Sequence, residues 1–454
     1  MDLAEDIVNH AYRALPNWLT SSVVSRLQFG IIDTIAVAIH GSMTTQIQRL
    51  RQALLDDPDP TAKWLTGVGV PAELKAFGNA LPITVEQLQD GHRLARGHPF
   101  AHLVPTCLAA AELSSAKGST ILEGLLLGYE VGARLGMVML GTPRGIHDIG
   151  TWGTLGAVVG STYILTAGDE ALSAASLRLA SSAVIALDTE NVFSGFGVSH
   201  LYLATACQLA MQFAKAAAIG TSTAPNTLER YWLPRLSTDQ TLFSVDWSQV
   251  QTTNGYFKLY PTVAHAHGAN GAIDQFLQQA RLLPFEDQLE RRIKSIEVST
   301  YSPAAQFCNQ NPQSVDACRF SIPFTIATAI VNRHLGLNTN FTLALNDSRV
   351  QDLAKRVVVK EDASLTARYP HDGRPTRILV EFADGTTVET TCDLPPGDGP
   401  EALENPDVLS KPTALVAGII PQSSWHSLRY TVENLGQTTA AELFQAIADL
   451  KRSC

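Results

Sequence analysis

Residues 77–112 read FGNALPITVEQLQDGHRLARGHPFAHLVPTCLAAAE, and the fold turns on what this stretch is. Asn79, Glu86, Gln87, Gln89, Asp90, His92, Arg93, Arg96, His98 and His102 share one neighbourhood, and an Ala-rich helical pattern (Leu108 to Leu113) follows at once. Polar groups this dense, between helical segments of a mostly apolar chain, make either a solvated loop or a lined pocket. The two His-Pro and His-Leu steps, with a helix starting just after them, favour the pocket.

Working outward, helical spacing dominates the first part of the chain. Ile7, Ala11 and Leu15 fall on one face, Glu5 and Asp6 sit where a helix N-terminus prefers acid, and Pro16 is expected to end that helix. A longer helix is expected from about Ser22, with Gly41 as its C′ residue. Segments 44–57, 106–117, 119–140, 151–167, 170–186 and 198–218 also read as helices. Residues 149–168 carry no charge and are long enough to span a bilayer. Their glycines and hydroxyls instead suggest a buried helix whose small face (Gly153, Gly156, Gly160) admits a neighbour closely.

Almost no two-residue alternation appears before residue 290. After it, 293–301, 356–362 and 377–394 have strand composition, and Asp384-Gly385 lies between alternating runs as a hairpin turn would. Helices are expected near 268–280 and 322–336. PPGDGPEALENP (395–406) reads as a connector, and 408–453 returns to helical pattern. The expected fold is mainly α. A large all-helical domain comes from both chain ends (1–267 and 396–454), with a smaller α+β lid, 268–395, inserted between them.

Composition narrows the function. In 454 residues the charged fraction is only 17% against 45% apolar, so much helical surface is buried in a large core or against a second copy. A formal charge of −10 argues against nucleic acid and anionic membrane as partners, while a locally basic pocket for a small anion stays open. Six cysteines show no CxxC spacing, so neither a zinc site nor a disulfide framework is expected. The acidic start MDLAEDIV is neither a signal nor a transit peptide, and a cytoplasmic protein is expected.

Taken in order, several segments resemble the MmgE/PrpD family, which includes 2-methylcitrate dehydratase and cis-aconitate decarboxylase. They are DTIAVAIHGS (33–42), the 77–112 stretch, GYEVGARLG (128–136), GIHDIGTWGTLGAVVG (145–160), YFKLYPTVAHAHGANGAID (256–274), RFSIPFTIATAI (319–330) and the DGTTVE to GDGPEALENP ending. The resemblance implies a helical domain, an α+β lid, homodimers, and a cleft between the two that works without metal or cofactor.

The family's site uses an Asp, a Thr and a His from the opening stretch, a second His before the Gly-rich helix, and two lysines. Here NALPITVEQLQDGH puts Gln87 and Gln89 at acidic positions, keeps Asp90, and puts Gly91 at the Thr. His98-Pro99 and His147 are kept, as is Lys258. FSGFGVSHL offers Gly197 before His200 where a lysine is usual. The resemblance therefore names His98, His147 and Lys258 as catalytic candidates. Gln87, Asp90, Gly91, Arg93, Gly197, His200 and His267 are candidates for substrate binding.

Each candidate also has a structural reading. His98 can be a loop histidine, His147 a helix cap, and Lys258 a snorkelling boundary residue; His200, His265 and His267 suit a core. Arg93 and Arg96 can face solvent or an acid.

Removing water from a hydroxy acid requires a base for the Cα proton, an acid for the hydroxyl, and cations for the carboxylates; decarboxylation needs an acid and the same clamps. His98 and His147 suit proton transfer because imidazole titrates near neutrality. Lys258, Arg93 or Arg96 suits a carboxylate. The expectation is a cofactor-free lyase acting on a citrate-like or alkylcitrate-like acid, specialised for a biosynthetic pathway. Two alternatives stand beside it. One is a fold repurposed as an isomerase or cyclase closing a hydrophobic carbonyl or carboxylate substrate in a Diels–Alder-type step, which needs neither an Asp base nor a second Lys. The other is an inactive dimeric scaffold.

Overall fold

The structure is a computed structural model, and it describes residues 2–55, 64–67, 69–139, 145–147, 149–183, 188–237, 246–280 and 289–450. The ends of the expected helices 44–57, 119–140 and 170–186 lie outside those residues, as does Cys454.

Helix α1 spans Leu3–Trp18, capped by the Asp2 carboxylate accepting from Glu5 N at 2.9 Å. Pro16 does not end it. The last turn is held by Trp18, which is buried and donates its indole N–H to Trp247 O at 2.9 Å, so tertiary anchoring overrides the breaker. Helix α2, Ser21–Gly41, is capped by Thr20 and buried almost all round from Phe29 to Ile39. It is long and apolar enough to cross a membrane, but 78% of its apolar window is buried inside the fold.

Gly41 is the last residue of α2 and not its C′ residue. A Cβ there would lie 2.2 Å from Pro82 O, so glycine is needed for the close approach of the segment that leads to Gln87. Helices α3 (Thr45–Leu55) and α4 (Ala72–Ala80) follow. The sequence pattern gave no sign of α4. Helix α5 starts at Pro99 and runs to Ser114, a full turn and more before the expected 106, with Pro at its first position where no N–H is missed.

Helices α6 (Gly118–Val138) and α7 (Trp152–Leu165) cross at close range. A Cβ on Gly156 would sit 2.5 Å from Gly128 O, and one on Gly160 would sit 2.5 Å from Gly124 O. The small face of α7 thus meets a matching one on α6, while Gly153 makes room for the His102 ring. Helices α8 (Glu170–Ser181), α9 (Thr189–Phe193) and α10 (Ser199–Ala218) complete this layer.

Strand β1 (Gly91–His92) pairs antiparallel with β2 (Gly255–Tyr256), which fastens the opening stretch to the segment carrying Lys258. The later strands are β3 (Ile293–Thr300), β4 (Val357–Glu361), β5 (Thr376–Phe382) and β6 (Thr387–Cys392), in the order β4-β3-β5-β6. β3 and β4 run parallel; the other neighbours are antiparallel. Gly385 supplies the positive φ of 85° in the β5–β6 turn. Buried residues alternate along β5, whose inner face packs on the helix His267–Ala280.

Two apolar cores result. One joins residues from α1 to Phe257 with Ala402–Leu450, and the other gathers Tyr260–Cys392 together with Val192 of α9. The returning tail is locked by a fully buried ion pair. Lys411 Nζ lies 2.8 Å from Asp33 Oδ1 on α2 and donates to Leu88 O at 2.7 Å, beside Gln87.

Candidate functional site

A cavity of about 700 Å³ opens between the two cores. Its wall takes Gln87, Arg93, Arg96 and His98 from the opening stretch, His147 from before α7, and Tyr256 and Lys258 from β2 and the residues after it. From the second core come His265, Phe307, Phe320, Tyr369 and Arg374, and α9 contributes Val192 and Phe193. Five of the ten expected site residues are therefore brought together: Gln87, Arg93, His98, His147 and Lys258.

The other five lie behind the wall. Asp90 is a helix anchor: its Oδ2 accepts from Phe100 N at 2.9 Å and its Oδ1 from Ala101 N at 3.0 Å, filling the orphan amides of α5. Burial raises its carboxyl to about 7, against the two amides and Lys411, which lower it. Gly91 is steric, since a Cβ there would strike the Tyr256 ring at 2.2 Å. His267 packs edge-on against Tyr260 in the second core. Gly197 and His200 border a separate small hollow.

The backbone around the cavity is strained in two places. Gln87 (φ 53°) and Arg96 (φ 54°) both occupy the left-handed region although neither is glycine. At Gln87 this conformation lets the amide nitrogen donate to Thr84 O at 2.9 Å while its oxygen accepts from Lys258 Nζ at 3.3 Å. Lys258 itself is buried, at 1% exposure.

The two histidines are held in opposite ways. His98 Nδ1 lies 2.7 Å from Asp90 O; a carbonyl only accepts, so Nδ1 carries a proton, and in the neutral tautomer this leaves the lone pair on Nε2. His147 Nδ1 accepts the Ile149 amide at 3.1 Å, so its proton is on Nε2.

Cations outnumber acids on the wall. Arg93 and Arg374 share the Asp398 carboxylate, all three side chains being largely buried; Arg93 also donates to Pro370 O at 2.7 Å. Arg374 lies 4.7 Å above the Tyr256 ring, and Arg96 lies 5.3 Å above Tyr369. Arg96 makes no ion pair among the described residues. Tyr369 stacks on Tyr301 at 4.1 Å, and Tyr301 Oη lies 2.9 Å from His265 Nδ1. The cavity also has an aromatic wall, with Phe193 5.0 Å from Phe307 and 6.1 Å from Phe320 between ring centroids.

Sequence spacing singled out neither Arg374 nor Asp398. Arg374 merely precedes a strand, and Asp398 sits in the Pro/Gly-rich stretch that reads as a connector. His265, which by its apolar neighbours suits a core or a helix start, sits in the short helix Ala264–Ala266 and lines the cavity.

The N-terminal domain of the MmgE/PrpD family matches residues 1–237, and its C-terminal domain matches 260–437. The chain belongs to the MmgE/PrpD family. It is a family of dehydratase- and decarboxylase-type lyases. A cis-aconitate decarboxylase-like protein, oryM of Aspergillus oryzae, is 23% identical over 481 residues, covering 98% of this chain and 97% of that protein. Among the described residues of this MmgE/PrpD chain, no group of three or more His, Cys, Asp or Glu is placed to hold a metal.

Proposed function

We propose that this MmgE/PrpD chain eliminates water or carbon dioxide from a citrate-like acid bearing an alkyl substituent. The observation that carries the reading is the lining itself: Arg93, Arg96, Lys258 and Arg374 share one cavity with His98 and His147. Asp398 and Glu190, an acid on the wall itself, offset only part of that positive charge, so the wall favours a ligand with more than one carboxylate. The charge of the family lysine that is missing at Gly197 is made up by Arg374 from the second core.

His98, with its Nε2 lone pair, serves as the base and His147, with its Nε2–H, as the acid. In dehydration His98 takes the Cα proton, the C–H electrons become the C=C bond, and the hydroxyl leaves as water with the His147 proton. In decarboxylation the breaking C–C bond supplies the electrons that take up a proton at carbon as carbon dioxide departs. Lys258 and the arginines hold the carboxylates and stabilise the charge that builds on them. Gln87 cannot replace a carboxylate base, but it orients Lys258.

The aromatic wall and the cavity size support the alkyl group. About 700 Å³ lies well within the roughly 300–1,000 Å³ range of sites for drug-sized ligands, more room than a six-carbon acid fills. The same wall favours a second reading, in which a hydrophobic carboxylate is folded for cyclisation and the cations merely tether it. A cytoplasmic homodimer with a biosynthetic role goes with the first reading, supported by composition and by the family resemblance.

The test is turnover of citrate, 2-methylcitrate, longer 2-alkylcitrates and cis-aconitate, followed by alkene absorbance and product mass. Loss of water or carbon dioxide, best with the alkylated acids, is expected. A protein that leaves all of them unchanged would overturn the lyase reading.

A further inference from the structure

Behind Gln87 and Ser199 on the cavity wall lies a hollow of about 10 Å³ bordered by Gly197, His200 and Asp316, room for about one water. His200, only 2% exposed, places Nδ1 2.9 Å from Thr84 Oγ1, and Thr84 lines the main cavity. Its Nε2 is buried without a hydrogen-bond partner. A buried imidazole nitrogen left in that state is costly, and a polar occupant of the hollow removes the cost.

Gly197 creates the space. A Cβ there would lie 2.4 Å from Gln46 Nε2, 2.6 Å from Asp316 Oδ2 and 3.0 Å from His200 Nε2, so three polar atoms converge on the gap above this glycine. Asp316 also lines a groove of about 700 Å³ on the far side, between residues 40–46 and 337–342. The polar groups thus run from that groove through Asp316 and His200 to Thr84 and the main cavity. The charged neighbours are Arg319 and Glu86, paired with each other; burial and then Arg319 push His200 down to about 4, so the ring is neutral at pH 7.

We propose that His200 and Thr84 form a proton relay, through one water held over Gly197 beside Asp316, linking the main cavity to the groove behind it. The proposal rests on the main cavity being catalytic. Thr84 Oγ–H passes its proton to an acceptor in the cavity and takes the proton from His200 Nδ1. His200 Nε2 then takes one from the water, which is reprotonated from the groove by way of Asp316. One proton crosses, and the ring changes from its Nδ1–H to its Nε2–H tautomer; transfer in the reverse direction restores it. Dehydration leaves His98 with an extra proton and His147 one short, so one inward and one outward transfer restore both imidazoles and the ring tautomer while substrate fills the mouth of the site. His200 and Asp316 act through other groups and are positioning residues.

The test combines solvent exchange of the His200 ring N–H, read by NMR on ¹⁵N-histidine-labelled protein, with kinetics of Gly197→Ala and His200→Gln. The new Cβ of Gly197→Ala meets only the ends of flexible side chains, and Gly197 is not at positive φ, so this variant is expected to fold. Slower His200 exchange in Gly197→Ala is expected. His200→Gln keeps a hydrogen bond to Thr84 but cannot relay; kcat is expected to fall about 10²-fold, the low end for a positioned proton-transfer group, with KM unchanged and a larger solvent isotope effect. Unchanged exchange in Gly197→Ala, a dry hollow in a high-resolution crystal structure, or full kcat in His200→Gln would overturn the relay. Exchange and water density need no turnover, so they decide the relay even if no acid proves to be a substrate.

Discussion

Replacing Asp398 with Asn removes the one carboxylate shared by Arg93 and Arg374 while keeping its shape. Arg93 retains Pro370 O at 2.7 Å, but Arg374, whose side chain is 3% exposed, keeps the face of Tyr256 and has, among the described residues, no counter-ion at contact. Two unit charges about 4 Å apart at an effective dielectric near 20 attract by about 4 kcal/mol. Removing one partner of a buried pair costs about 3–5 kcal/mol, because the survivor stays desolvated. Asp398→Asn is therefore expected to lose stability in that range, and Asp398→Asn/Arg374→Met to recover much of it. The variant also makes the cavity more positive. Citrate, supplying the missing negative charge, is expected to raise the melting temperature of Asp398→Asn by more than it raises that of the unmodified protein. Thermal melts with and without citrate, at matched ionic strength, measure both effects. An Asp398→Asn protein as stable as the parent, or one that citrate stabilises no further than the parent, would refute the reasoning.

Other expectations follow from the same geometry. Burial, with Arg93, Arg26 and Arg134 adding to it, lowers His92 to about 3 against the Gln251 carbonyl. Between pH 6.5 and 3 the unfolded chain thus binds a proton that the native one does not, so stability falls as pH drops through that window, and His92→Gln flattens the slope of denaturation midpoint against pH. Asp90 works in the opposite sense: its carboxyl is raised to about 7, so its contribution weakens as pH rises from 3.8 through 7, and Asp90→Asn removes that component. Gly156→Ala drives a Cβ to 2.5 Å from Gly128 O, and a loss of about 1–3 kcal/mol is expected in chemical denaturation. Phe307→Ala lowers kcat/KM for a long-chain 2-alkylcitrate relative to citrate by about 10–200-fold, the discrimination typical of an apolar pocket.

Much of the fold is legible in the sequence because it rests on local periodicity. Strands β3 to β6, the Asp384-Gly385 turn and the small face of α7 all follow from spacing alone. Where long-range contacts decide, spacing fails: Trp18 carries α1 past Pro16, and Gly41 is set by Pro82 rather than by its own φ. The same division holds at the cavity. His98, His147, Lys258, Gln87 and Arg93 lie in segments where the resemblance points to a site, whereas Arg374, and Asp398 within the GDGPEALENP ending, gain meaning only once the chain brings them against Arg93, about 300 residues earlier. A Pro/Gly/acidic stretch tells of turns and not of burial, so Asp398 reads as a linker residue. Asp90 misleads in the other direction, because an acid among histidines suggests catalysis while its oxygens are spent on the amides of α5.

The structure of the protein with a 2-alkylcitrate bound tests the central claim most directly. The account predicts carboxylates within hydrogen-bond distance of Lys258 and at least one of Arg96 and Arg374, the Cα hydrogen facing His98 Nε2, the hydroxyl facing His147, and the alkyl chain against Phe193 and Phe307. A carboxylate seated on the phenylalanine wall, or a reacting carbon out of reach of both histidines, would contradict it.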